Sequence, residues 1–114
     1  MNNELLEIKN DYVFYGSMLN DCTSKTKSRK HNKAMGQLSI LYHKAETMSD
    51  KSFYLELLDN EMPKIRTIVA AHCLGLGIYL DKAQEVLKEI AEYKNDPIMA
   101  FEAKATLEVW EKRG

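Results

Sequence analysis

Apolar residues recur along most of the chain at the three- and four-residue spacing of one face of an α-helix. This spacing predicts a first helix over Asn3–Leu19 and a second over about Lys30–Met48. The first helix has a predicted buried stripe of Leu5, Ile8, Tyr12, Tyr15 and Leu19, widened by Leu6, Val13 and Met18. The second has a predicted buried face of Ala34, Met35, Leu38, Leu41, Tyr42 and Ala45.

A short third helix is predicted to begin after a cap at Ser49 or Asp50 and to run through Asp59. Its predicted buried residues are Phe53, Leu57 and Leu58.

The most apolar stretch is Met62–Leu80, and it predicts a helix in the centre of the fold because it is apolar on nearly every side. Pro63 suits the first turn of this helix, and Gly75 and Gly77 are expected to supply the left-handed conformation that ends it near Leu76. Its predicted apolar face consists of Ile65, Ile68, Val69, His72 and Leu76.

Two further segments contain residues typical of the start of a helix. Asp81, with Gln84 three residues later, predicts a capping box at the start of a fifth helix. Asp96-Pro97 predicts the start of a sixth helix that runs to about Lys112. The predicted inward residues are Val86, Leu87, Ile90 and Ala91 in the fifth helix and Phe101, Ala103, Leu107 and Trp110 in the sixth.

The pattern therefore predicts an all-α fold of about six helices and no strand. With 114 residues, the chain fits a single helical domain over residues 1–114. Short connections imply antiparallel neighbours, and the hairpins suit a fragment of a HEAT-like or armadillo-like α-solenoid better than a symmetric four-helix bundle.

Composition narrows the class of protein. The 16 Lys and Arg residues nearly balance the 17 Asp and Glu residues, so no overall field favours nucleic acid or a membrane. The acidic beginning of the chain is unlike a signal peptide, and the apolar run Ile68–Leu80 is shorter than the ~18 residues of a membrane span. These features predict a soluble, cytoplasmic protein that does not enter a membrane.

Candidate catalytic chemistry is sparse. The three histidines lie in separate predicted elements, and neither a His-Glu-x-x-His nor a Cys-x-x-Cys motif occurs. His72 and Cys73 are neighbours in sequence, so they point about 100° apart on a helix and are expected to be core residues rather than a reactive pair. The sequence thus predicts no enzyme and assigns no catalytic residue, cofactor or metal ligand.

Two charged segments are candidates for binding. Lys25–Lys33 contains basic residues without an acid, and it is interpreted as a solvated loop, with phosphate binding as the alternative. Glu46–Glu61 instead contains acids around Phe53 and Tyr54, a mixture that suits a basic protein partner because aromatic side chains supply binding energy and charge supplies steering. The alternative is a solvated short helix whose aromatic residues belong to the core. The predicted partner-binding residues are Tyr42, Glu46, Asp50, Tyr54, Glu56, Asp59 and Glu61.

From about Leu57 onward the chain resembles a family of small bacterial helical proteins of unknown function with a HEAT-like or armadillo-like arrangement. The resemblance lies in Ile65-Arg66, in Ala70-Ala71-His72-Cys73-Leu74, in the run from Ala83 to Ala91, and in Phe101-Glu102-Ala103, Leu107 and Trp110-Glu111-Lys112. Such families imply no catalytic residues, and their scaffolds resemble those of many immunity proteins.

The resemblance and the acidic segment together lead us to expect an immunity protein, which neutralises a nuclease-type bacterial toxin encoded by an adjacent gene by occluding its active site. The alternative is a regulatory or scaffold subunit with a HEAT-like surface for a peptide or protein. Nucleic-acid binding through Lys25–Lys33 ranks below both.

Overall fold

The computed structural model describes residues 3–20 and 28–113. Across these two ranges all regular secondary structure is helical, which confirms the predicted all-α class. The helices are α1 (Asn3–Asn20), α2 (Ser28–Thr47), α3 (Phe53–Leu58), α4 (Pro63–Leu76), α5 (Leu80–Ala91) and α6 (Pro97–Arg113). The predicted polar end of the first helix at Asp21–Ser24 lies outside the described residues.

The chain divides into two compact units, Met1–Leu57 and Leu58–Gly114. In the first unit α1 packs along α2, and in the second α5 packs against both α4 and α6, while α4 also touches α6. The middle helix of the second unit is therefore α5. Within the described residues, α5 packs extensively against two helices and α4 against one, so the prediction that Met62–Leu80 forms the central helix is wrong.

Three aromatic rings form the centre of the first unit. Tyr12 of α1 and Tyr54 of α3 are both buried, their hydroxyls are hydrogen-bonded at 2.5 Å, and their rings meet edge to face at 5.4 Å. The ring of Phe53 lies 4.4 Å from that of Tyr54. This cluster ties the short helix α3 to α1 by packing and by a buried polar contact at once.

Most of the predicted core residues of α1 and α2 are buried, two are exposed, and four are half-buried, namely Val13, Tyr15, Met18 and Tyr42. Leu5, Ile8 and Leu19 are buried as predicted, whereas Leu6 is exposed. Met35 of α2 was predicted to be buried and is 48% exposed. Both errors have the same cause, because the apolar stripes in the sequence are wider than the strip of surface that one neighbouring helix covers.

Helix α4 buries the side that carries its small residues. Ile65 and Val69 are buried as predicted, but Ala70 and Cys73 are fully buried too, while Ile68, His72 and Leu76 of the predicted face are only half-buried. Small side chains allow a neighbouring helix to approach closely. The side of α4 with Ala70 and Cys73 is therefore buried more completely than the side with the larger residues.

Local signals at the ends of the helices have mixed outcomes. Gly77 ends α4 at φ 73°, as predicted, whereas Gly75 lies within the helix. Asp96 caps α6, since its Oδ1 accepts the backbone N–H of Met99 at 3.1 Å.

The predicted capping box of α5 is wrong. The helix begins at Leu80, after Tyr79 in the left-handed region at φ 48°, and no side chain caps it. Gln84 Nε2 instead donates to the carbonyl of Leu80 at 3.2 Å, within the first turn.

In the sixth helix, Ala103 and Leu107 are buried as predicted, and Trp110 is half-buried. Phe101 was predicted to be a core residue and is 71% exposed. The helix therefore buries its smaller residues and leaves its phenylalanine at the surface. None of the described helices is long and apolar enough to cross a membrane.

Candidate functional site

The seven predicted partner-binding residues are divided between the two units. Tyr42, Glu46, Asp50, Tyr54 and Glu56 belong to the first unit, and Asp59 and Glu61 belong to the second.

Tyr54 is not a surface residue, which corrects its predicted role as an anchor for a partner. Its side chain is fully buried, and its hydroxyl is hydrogen-bonded to that of Tyr12. Helix α3 turns Phe53, Tyr54, Leu57 and Leu58 inward at the spacing i, i+1, i+4, i+5, a pattern that is visible in the sequence. The exposed apolar residue of this helix is Leu55.

Tyr42 and Glu46 share one exposed side of α2 with Met35. Positions 35, 39, 42 and 46 follow one another at steps of four, three and four residues, so they lie along one helix face. We call Met35, Ser39, Tyr42 and Glu46 the α2 contact face. Sequence reasoning missed Met35, because its spacing is also compatible with the buried stripe.

The acid at the end of the α2 contact face is held in place by its neighbour. Glu46 Oε1 lies 2.7 Å from His43 Nδ1, and both side chains are well exposed. The rings of Tyr42 and His43 are 5.5 Å apart in an edge-on arrangement. An aromatic ring, a thioether and a carboxylate are thus displayed together along one helix face.

Asp50 organises the turn before α3. Its Oδ1 accepts the backbone N–H of Ser52 at 2.9 Å. Hydrogen bonds from the side chain and the backbone of Ser52 lower the pKa of the Asp50 carboxyl, which remains charged and exposed. Asp50 also lines a shallow groove of about 360 Å³ with Glu4, Leu5, Lys44, Thr47, Met48 and Ser49.

Glu56 is exposed on α3 and forms an ion pair with a lysine of α1. The distance from Lys9 Nζ to Glu56 Oε2 is 2.8 Å, and half of the Glu56 side chain is accessible. An ion pair this exposed contributes only about 0.2–1 kcal/mol to stability, so the carboxylate is oriented but available.

Asp59 forms an ion pair with Lys82 in the second unit, and further acids lie near this lysine. Asp59 Oδ1 lies 2.9 Å from Lys82 Nζ. The hydrogen bond and charge of Asp59 raise the pKa of Lys82, and the charges of Glu85 and Glu89 add to the effect. Glu61 is also exposed in this unit.

A second groove, of about 330 Å³, lies between α4 and α6. It is open because small residues occupy both walls, with Ala71 and Gly75 on α4 and Ala105 on α6. The remaining lining residues are Leu74, Thr106, Val109 and Trp110.

His72 and Cys73 are both neutral in this environment. Burial lowers the pKa of His72 to about 4 and raises the pKa of the Cys73 thiol to about 12. The thiol is fully buried and is not a thiolate at neutral pH, so Cys73 behaves as the small core residue that the sequence predicted. In the part of the chain that the structure describes, no three His, Cys, Asp or Glu residues are grouped so that they could hold a metal ion.

The basic segment is only partly described. Lys25 and Lys27 lie outside the described residues, whereas Arg29, Lys30 and Lys33 belong to the first two turns of α2. Lys30 and Lys33 are helical, as expected from a second helix that was predicted to begin at about Lys30. Arg29 was predicted to lie in the loop and instead belongs to the helix, which begins at Ser28.

No protein-family model, curated protein or solved structure matches the chain.

Proposed function

We propose that this protein is a non-enzymatic protein-binding domain of the immunity type, which neutralises a basic, nuclease-type toxin domain by covering its active site. The observation that supports the proposal most is the α2 contact face. It combines the residue types that interfaces favour, tyrosine and methionine, with an acid suited to a basic partner. The resemblance of the second half of the chain to small HEAT-like proteins points the same way.

The α2 contact face would supply the short-range part of binding. Met35 and Glu46 are separated by about 16 Å along the helix, at a rise of ~1.5 Å per residue, which is enough for several side chains of a partner. The flexible thioether of Met35 adapts to an irregular surface, and the partly exposed ring of Tyr42 adds apolar area with little loss of rotamer freedom.

The exposed acids would supply the long-range electrostatic attraction to the partner. A nuclease uses lysine and arginine side chains to hold phosphates, and the same side chains are attracted by carboxylates. Glu56 and Asp59 are each oriented by one lysine, which a guanidinium of the partner would displace or join at little cost. Asp50 and Glu61 add to the attraction. An inhibitor of this kind needs nanomolar affinity, about −12 kcal/mol, from an interface of roughly 1,600 Å².

A protection assay tests the proposal. Cells that produce the toxin domain encoded beside this gene are expected to grow when they also produce the wild-type protein. They are expected to die with the double variant Tyr42→Ala, Glu46→Lys. Ile40→Ala is the matched control, because Ile40 is exposed on a different side of the same helix.

The contributions of the acids are tested separately. Charge reversal of Glu56, Asp59 and Glu61 together is expected to slow association and to remove most of its dependence on salt. If the association rate and its salt dependence stay as in the wild type, these acids do not attract the partner.

The groove between α4 and α6 favours a second candidate, a regulatory or scaffold subunit that holds an apolar peptide. Ala71→Leu would fill this groove from the α4 side. If the scaffold function is the correct one, this variant loses its partner while the α2 variants keep theirs.

A further inference from the structure

Helix α6 is apolar on two opposite sides. Met99, Ala103 and Leu107 succeed one another every four residues and are buried. Ile98, Phe101 and Val109 are respectively 74%, 71% and 57% exposed. At about 100° per residue, the two sets are centred on nearly opposite sides of the helix.

The exposed side carries a row of apolar residues. Ile98, Phe101, Ala105 and Val109 follow one another at steps of three and four residues, and we call these four residues the outer stripe of α6. Ala105 and Val109 also line the groove between α4 and α6, so the stripe continues sideways into that groove. Large contiguous apolar surfaces of this kind on a folded protein usually mark an interaction site.

The charges beside the outer stripe indicate what covers it. Lys104 and Glu108 are both exposed, lie four residues apart, and flank the stripe along the same edge. If two α6 helices pair antiparallel about a two-fold axis near residue 106, each Lys104 lies opposite the Glu108 of the other copy. The charge pattern is therefore complementary to itself, as a two-fold interface requires.

Other features of the stripe agree with such a pairing. The smallest residue of the stripe, Ala105, lies next to the proposed axis, where the two backbones come closest. A strongly basic partner, in contrast, would gain no net attraction along an edge that contains one lysine and one glutamate.

We propose that the outer stripe of α6 is a homodimer interface in which two copies of the chain pack their sixth helices antiparallel. It uses none of the residues of the α2 contact face. Because a single pair of helices buries less than the ~1,200 Å² of a typical stable complex, the dimer is expected to be weak, with a dissociation constant in the micromolar range.

Sedimentation velocity over a concentration series tests for the dimer. The wild-type chain is expected to change from monomer to dimer, and Phe101→Glu is expected to raise the dissociation constant at least about 30-fold, since it places two charges in an apolar contact. Ile40→Glu is the control, because it adds the same charge at an exposed apolar residue of α2. A wild-type chain that remains monomeric up to about 1 mM, or a Phe101→Glu variant that dimerises normally, overturns the proposal.

Charge exchange tests the antiparallel geometry. Lys104→Glu and Glu108→Lys are each expected to weaken the dimer roughly tenfold, because each turns two attractive contacts into repulsive ones. The double variant restores the opposite charges and is expected to dimerise like the wild type. Circular dichroism of all three variants confirms that they are folded. A double variant as weak as the single ones contradicts the pairing of Lys104 with Glu108.

Discussion

At the residue scale, the first unit contains a buried pair of hydroxyls, those of Tyr12 and Tyr54. Both side chains are fully buried, and the two oxygens share one hydrogen bond between positions 42 residues apart in the chain. A buried hydroxyl that loses its partner costs free energy, so this contact fixes how α3 is placed against α1.

Removal of either hydroxyl is expected to destabilise the protein modestly. Tyr54→Phe and Tyr12→Phe should each lower the free energy of unfolding by about 1 kcal/mol, measured by denaturant titration. The double variant should lose clearly less than the sum of the two, because each single change already removes the shared hydrogen bond. Strictly additive losses would show that the two hydroxyls are not coupled.

His72 makes stability depend on pH. Its folded-state pKa of about 4 is below the ordinary value of 6.5, because burial disfavours the charged imidazole. As the pH falls, the unfolded chain therefore takes up the proton first. The stability associated with neutral His72 is fully present above pH 6.5 and is lost as the pH falls toward 4.

This linkage predicts a loss of about 2 kcal/mol in the free energy of unfolding between pH 7 and pH 5 from His72 alone. His72→Gln keeps a polar side chain but does not titrate, so its unfolding free energy should fall less over the same interval. Denaturant titrations of both proteins at the two pH values measure the difference. Parallel curves for the two proteins would exclude His72 as the source.

At the element scale, two glycines illustrate opposite roles. Gly77 has a φ of 73°, while Gly36 lies inside α2, and a Cβ added at either position would meet nothing within 4 Å. Any effect of alanine at these positions is therefore a backbone effect. Gly77→Ala should cost about 1 kcal/mol, because an L-residue is strained in the left-handed region.

Gly36→Ala should instead stabilise the protein by roughly 0.5–1 kcal/mol, since alanine loses less conformational entropy than glycine in a helix. The midpoints of thermal unfolding of the two variants should therefore lie on opposite sides of the wild-type value. A shift in the same direction for both would contradict this assignment.

The starts of α5 and α6 can be compared with a matched pair of alanine variants. Asp96→Ala removes a cap whose carboxylate accepts the N–H of Met99, and it should cost about 1 kcal/mol of unfolding free energy. Asp81→Ala should change stability by much less, because Asp81 lies inside the first turn of α5 and is not its cap. Equal losses for the two variants would mean that Asp81 has an unrecognised capping role.

The limits of prediction from the sequence are visible in the same elements. Periodicity finds each helix, and Pro63, Gly77 and Asp96 mark helix ends through local geometry that needs no distant partner. Periodicity does not choose between two apolar faces of one helix. In α6 the prediction placed both Phe101 and Ala103 in the core, whereas packing buried only the face with Ala103.

Prediction of the candidate site from the sequence has the same limit. Tyr42 and Glu46 were predicted to bind a partner from their types and their place in an acidic segment, and the structure places them on one face of α2. Met35 was wrongly placed in the core and Tyr54 at the surface, because exposure depends on which neighbouring helix covers each face. The spacing of the apolar residues of α3 is compatible with a buried Tyr54, but its hydrogen bond with Tyr12 has no local signal in the sequence.

At the scale of the whole molecule, the described charges are distributed rather than concentrated. The acids of the first unit include Glu46 and Glu56, and those of the second include Asp59 and Glu85 around Lys82. With a formal charge of −1, the protein has no strong overall field, so binding of the proposed basic partner would depend on local surfaces such as the α2 contact face.

If the proposed function is correct, the partner is a toxin domain encoded by an adjacent gene, and the dissociation constant of their complex is the decisive measurement. For the wild-type protein it should be nanomolar or lower and should rise with salt. Tyr42→Ala should raise it at least about 30-fold, as expected of an aromatic residue that dominates an interface, while Ile40→Ala should leave it unchanged. Absence of binding by the wild type, or equal affinities for the two variants, would contradict the account.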